Sequence, residues 1–157
     1  MSSQTLEKFG NKVRVRVCGI CFQGNGLLLI NHKGLYGHDF WAPPGGGIDF
    51  GENAHNALKR EFLEECGLEI TVGSFLFATE FVKKPLHAVE LFFEVFTMGT
   101  PTLGRDPELG QNQIINELRS WTFNDLNNLP EATKHGILLQ ISDFSDLLEW
   151  RGFYPIT

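Results

Sequence analysis

Hydrophobic alternation opens the chain. Val13-Arg14-Val15-Arg16-Val17 alternates strictly and, with Cys18-Gly19-Ile20-Cys21-Phe22, forms a run rich in β-branched residues that predicts a strand. Gln23-Gly24-Asn25-Gly26 is a cluster of turn residues, and Leu27 to Ile30 is an unbroken apolar run, so a hairpin is predicted. A polar, Gly-containing loop follows from Asn31 to Phe40. From Asn53 to about Cys66 there is no Pro or Gly, and Ala, Leu, Glu, Lys and Arg predominate, which predicts a helix. Gly67 then supplies the left-handed residue that commonly ends one. Leu68 to Thr71, Gly73 to Phe81 and His87 to Phe96 read as further strands. Gly99 to Gln113, broken by Pro and Gly, is a loop of the length that often serves function, and Ile114 to Thr122 follows it. Ile137, Leu138, Ile141, Phe144 and Leu148 recur at helical spacing and predict a closing amphipathic helix from Glu131 to about Leu148, its apolar face packed in the core. Arg151 to Thr157 is a tail, docked on the domain or part of a homodimer contact. Strands mixed with helices in this order predict a layered α/β (α+β) domain.

Composition narrows the class. The 157 residues suffice for one domain with a sizeable core, expected to span 1–157. No apolar run approaches the roughly 20 residues needed to cross a membrane, and the start has no apolar stretch of a secretory signal, so a cytoplasmic location is expected. The net charge of −6 provides no basic footprint for duplex nucleic acid. It also repels anionic ligands, so local cations have to draw them in. Cys18 and Cys21 form a C-x-x-C pair, but three residues apart on a strand they point to opposite faces, and reduced, buried thiols are expected.

The chemistry concentrates on the first helix. Glu61, Glu64 and Glu65 stand at i, i+3 and i+4, within an arc of about 100° that overlaps the apolar positions Ala54, Ala57, Leu58 and Phe62. Three partly desolvated carboxylates in one turn raise one another's pKa unless a cation sits among them. Hard oxygen ligands of this kind suit Mg²⁺ or Mn²⁺. Elsewhere Arg14 and Arg16 share the strand face opposite the valines, either as a solvated face or to reach a bound phosphate. Lys83, Lys84 and His87 are a compact basic group for an anionic substrate or a solvated hairpin tip.

Gly46, Glu52 and Arg60-Glu61-Phe62-x-Glu64-Glu65-x-Gly67-Leu68 resemble the signature of the Nudix (MutT-type) hydrolases, at nine defined positions over the 23 residues 46–68. Trp41 and Pro44-Gly45-Gly46 fit the lead-in usual in that family, although Pro43 replaces an aliphatic residue and Phe62 is bulkier than usual. The resemblance implies an α/β/α sandwich around a mixed sheet, with the signature as loop–helix–loop. It implies Mg²⁺, or Mn²⁺, held by Glu61, Glu64, Glu65 and the backbone carbonyl of Gly46. Arg60 would support these acids, with Glu52 within its reach, and Gly67 would end the helix. Glu117, before Trp121, matches by position a further catalytic acid, with Asp106 and Glu108 as weaker alternatives. Trp41 stands where it either stacks on a base or packs under the loop.

The reaction implied is hydrolysis of a phosphoanhydride in a nucleoside diphosphate linked to another group, such as a triphosphate or nucleotide sugar. A nucleotide sensor without turnover and an RNA 5′-end pyrophosphohydrolase are the rival readings. Three intact acids argue against the first, and the lack of a basic stripe against the second. Nothing near the signature selects one substrate.

Overall fold

The computed structural model describes residues 3–33, 36–105, 107 and 113–156. Strand β1 (Val13–Gln23) is its axis. Along one edge β1 pairs in parallel with β6 (Leu86–Phe96), from Val13 opposite His87 to Cys21 opposite Val95. Its other edge is divided. Arg16, Val17 and Cys18 pair antiparallel with β4 (Gly45–Gly47), whereas Phe22 and Gln23 pair with β2 (Gly26–His32) across the hairpin. Strand β2 therefore parts from β1 as it runs toward His32, taking β3 (Trp41–Ala42) and β7 (Ile115–Trp121) as neighbours. Beyond β6 lie β5 (Thr71–Lys83), antiparallel to it, and β8 (Gly152–Ile156), parallel to β5 at the far edge.

Helices cover both faces of this mixed sheet. On one face α2 (Ala54–Cys66) buries Ala57, Leu58, Phe62 and Cys66 against Val17, Cys21, Leu28 and Val95. On the other lie α3 (Phe123–Asn127), 3-10 turns at Glu131–Thr133 and Gly136–Leu139, and α4 (Asp146–Glu149). Their Leu126, Ile137, Leu138 and Leu147 join Ile20, Leu29, Phe77, Phe92 and Trp121 in the second half of the core. The layered α+β arrangement expected from the chain is thus present. A short helix, α1 (Ser3–Phe9), precedes it without having been signalled by the sequence pattern.

The layers meet closely at Gly19. A Cβ there would overlap the ring of Phe62 and come within 2.7 Å of Val95 Cγ2, and both neighbours are buried in the core. Gly19→Ala is therefore expected to cost about 1–3 kcal/mol through overpacking. A lowered urea midpoint would register this, and an unchanged midpoint would contradict such tight closure.

Several expectations need correction. The helix expected over 131–148 is replaced by the two 3-10 turns and α4. Lys134 runs extended beside Trp41, and His135 N–H donates to the Trp41 carbonyl at 2.9 Å. Asp146 Oδ2 then accepts from the Ser142 and Asp143 N–H groups, a local competition that suits turns better than helix interiors. The apolar positions are nevertheless buried or packed on the core as the pattern implied. Leu68 to Ile70 is not strand, because Leu68 N–H closes the helix end on Phe62 O. The turn expected near Val72 is an irregularity within β5, where register shifts between Val72 and Phe77. The tail is docked, as β8.

Of the two readings of the arginine face of β1, the solvated one does not hold. Val13 and Val15 are 60% and 46% exposed, while Arg14 and Arg16 are half-buried on the opposite face. The three cysteines are free and buried, with Cys18 and Cys21 in different halves of the core.

Candidate active site

The signature helix is held at both ends. Asn53 caps it, its side chain accepting from Asn56 N–H at 2.9 Å. Gly67, at φ 63°, closes it with its N–H on Leu63 O at 3.1 Å. This fixed length aims Glu61, Glu64 and Glu65 toward β4. Glu61 rests against Gly46, where any Cβ would collide with its carboxylate, so only glycine permits this approach. Glu65 is buried and its Oε2 accepts from Gly45 N–H at 3.0 Å.

Arg60 ties the acids together. Its guanidinium grips Glu52 by two bonds of 3.0 and 2.9 Å, donates to Glu61 Oε1 at 2.9 Å and reaches Glu64 Oε2 at 3.4 Å. It also donates to the Gly47 carbonyl at 3.0 Å, fixing the helix to the glycine strand. The pairing holds the Glu52 carboxyl below its ordinary range. Glu61 goes the other way. Burial pushes its pKa up to about 7, with Glu64 adding to the rise and Arg60 opposing it.

A cavity of about 540 Å³ opens where β2 parts from β1. Its lining includes Gly45–Gly47, Glu61 and Glu65, together with the cationic Arg14, Arg16 and Lys83. Arg16 bridges two parts of it. One nitrogen, Nη2, donates to Gly45 O at 3.2 Å, and the other, Nη1, lies 3.4 Å from Glu90 Oε1. Glu90, 4% exposed on β6, also accepts from His135 Nε2 at 2.8 Å and Thr79 Oγ1 at 3.2 Å, with Cys18 Sγ at 4.0 Å. Burial alone would raise its pKa, but His135, Arg16 and Thr79 hold it down at about 2.

The structure thus assembles Gly46, Glu52, Arg60, Glu61, Glu64 and Glu65 in one place, with Arg16 alongside. Lys83 and His87 line the same cavity, whereas Lys84 is exposed and does not. His87 is also engaged with Glu80 at 3.0 Å. Of the two readings of Trp41, packing under the loop holds and stacking on a base does not: it is only 4% exposed and stands edge-on to Trp121 at 4.9 Å. Glu117 is exposed on β7 opposite Asn31 and does not line the cavity. Asp106 and Glu108 lie outside the described residues. Sequence reasoning missed Glu90, His135 and His32, which carry no motif and come near one another only in the folded chain.

A model of the NUDIX domain matches residues 12–140. The chain is a Nudix hydrolase. The ADP-ribose pyrophosphatase of Methanocaldococcus jannaschii is 29% identical to this Nudix hydrolase over 141 residues, covering 88% of this chain and 75% of that protein. A NUDIX hydrolase from Nitrosomonas europaea superposes with a TM-score of 0.69 at 16% identity, covering 88% of this chain and 89% of that one. A UDP-X diphosphatase superposes with a TM-score of 0.66 at 17% identity, covering 99% and 75%. Relatives of this Nudix hydrolase thus act on nucleoside diphosphate derivatives.

Nudix hydrolases use divalent metals. The donors here fit such an ion: three carboxylates on one helical turn beside a glycine strand that bears no side chains, all oxygen and no thiolate or imidazole. Among the described residues the acids do not converge on one point, and Arg60 is hydrogen-bonded to Glu61 and Glu64.

Proposed function

We propose that this Nudix hydrolase cleaves a phosphoanhydride bond in a nucleoside diphosphate linked to a second group, using Mg²⁺ with Mn²⁺ as a substitute. The observation that carries the reading is the carboxylate turn of α2, pressed on Gly45–Gly47 at the wall of a cavity that also holds Arg14, Arg16 and Lys83. Glu61, Glu64, Glu65 and the Gly46 carbonyl would hold the ion. When bound, it supplies positive charge against phosphate oxygens and acidifies water. Arg14, Arg16 and Lys83 draw the polyphosphate into an otherwise acidic protein. Arg60 keeps the acids oriented. Glu61 or Glu64 would take the proton from the water so activated. Glu117, outside the cavity, is not assigned that step.

The test is product analysis by mass spectrometry after incubation with nucleoside triphosphates, an oxidised guanine triphosphate, ADP-ribose, nucleotide sugars and dinucleoside polyphosphates. Each is supplied with Mg²⁺, Mn²⁺ or chelator. Metal-dependent cleavage of one class is expected, with a nucleoside monophosphate among the products. A nucleotide that raises the melting temperature without being cleaved would replace this reading with that of a sensor.

A further inference from the structure

One face of the sheet is apolar where it meets solvent. Helix α2 buries Val17, Phe93 and Val95, but nearer the start of β1 the same face is open, with Val13 and Val15 60% and 46% exposed. Across the sheet Val82 on β5 is 58% exposed and Phe153 on β8 57%. The register carries these positions on one side: Val13 and Val82 both stand opposite His87, and Phe153 stands opposite Ala78 on the strand that carries Val82. Phe75, 48% exposed, adjoins them through its edge contact with Phe93 at 5.4 Å. A sheet face left to water ordinarily carries polar residues outward and apolar ones inward. Here Arg16, Thr79 and Glu90 are joined on the opposite side, and the valines point out.

A second copy of this chain fits that face. The patch is made of regular strands, and two like sheets pack face to face about 10 Å apart with their side chains interdigitated. Such a patch is its own complement under twofold symmetry. The His87 and Glu80 side chains, which the register also places there, hold one another at 3.0 Å, so the pair brings no uncompensated charge to the contact. The exposed side chains and their half-covered neighbours Val89 and Leu91 present on the order of 600 Å² on each copy. Association then removes about 1,200 Å² from water, the low end of what a specific interface buries. A lipid surface fits less well, because a chain of net charge −6 is repelled by anionic headgroups. We propose that the chain forms a twofold homodimer through the Val13, Val15, Val82 and Phe153 face, the two sheets stacked back to back with a cavity open on each outer side. The contact is independent of the hydrolase reading, and either stands without the other.

The experiment is sedimentation velocity of the full chain from about 1 to 100 µM, a range that brackets the affinity of a small interface, with V82E/F153E alongside. The wild type is expected to reach twice the mass of one chain at the upper concentrations and to stop there. V82E/F153E places two carboxylates in the contact, and its dissociation constant is expected to rise at least about tenfold. Melting curves show that the variant is folded. Should it not fold, V13T/V82T is read in its place, since threonine keeps the branching of valine, and the same direction and about the same size of effect are expected. A wild type that is monomeric throughout, a dimer that neither variant weakens, or growth past the dimer into open-ended assemblies would overturn the proposal. Flotation with phosphatidylcholine and phosphatidylserine vesicles is expected to recover no protein. Recovery of the wild type that V82E/F153E abolishes would assign the face to lipid and overturn the proposal as well.

Discussion

Glu64→Gln and Glu65→Gln are each expected to cut turnover by at least about a hundredfold, since even residues supporting metal ligands are worth ten- to a hundredfold. Neither change should unfold the protein. Glutamine at 65 still offers an oxygen to Gly45 N–H, and at 64 it leaves Arg60 its bonds to Glu52 and Glu61. What each removes is one negative charge facing β4. Steady-state rates over a Mg²⁺ titration, read beside thermal melts, separate the two effects. Full turnover in both variants would refute the site.

The second large effect falls on stability. Glu90 is a buried anion held by His135, Arg16 and Thr79, so Glu90→Ala strands a half-buried guanidinium and a buried imidazole. A loss of about 3–5 kcal/mol is expected, as for other buried pairs broken on one side. The pH dependence carries a sign. Glu90 sits at about 2 in the fold against an ordinary 4.5, so its contribution is complete above pH 4.5 and is lost as pH falls from 4.5 to 2. His32, at about 4 against 6.5, binds its proton less readily folded than unfolded, and so lowers stability as pH falls through the window from 6.5 to 4. Urea midpoints across pH 7 to 2 in the wild type and in Glu90→Gln distinguish the two. The variant should keep the upper limb and flatten below pH 4.5; an unaltered lower limb would show that Glu90 does not govern it.

The parts of this protein that were legible from sequence are those fixed locally. The helix running from about Asn53, the Gly67 stop and the Arg60–Glu52 pair sit within one segment and its flanks, where spacing alone sets geometry. The orientation of β1 was not legible. Alternation told which residues share a face, but not that Val13 and Val15 would lie exposed beyond the buried Val17 while Arg14 and Arg16 are half-buried. The segment after Glu131 misled for a related reason. Helical spacing at Ile137, Leu138 and Phe144 is also what successive turns produce when each must bury its apolar side on the same sheet. Glu90, His135 and His32 come from three distant stretches: the pairing of β6 with β1 sets Glu90 opposite Arg16, the parting of β2 from β1 leaves His32 on the cavity, and the His135 N–H bond to the Trp41 carbonyl anchors the third.

Arg60 makes the carboxylate turn its own counter-ion. The charge that three acids concentrate in one helical turn is already balanced within the chain by a guanidinium bonded to Glu61 and Glu64, so the turn can fold against the glycine strand without an ion.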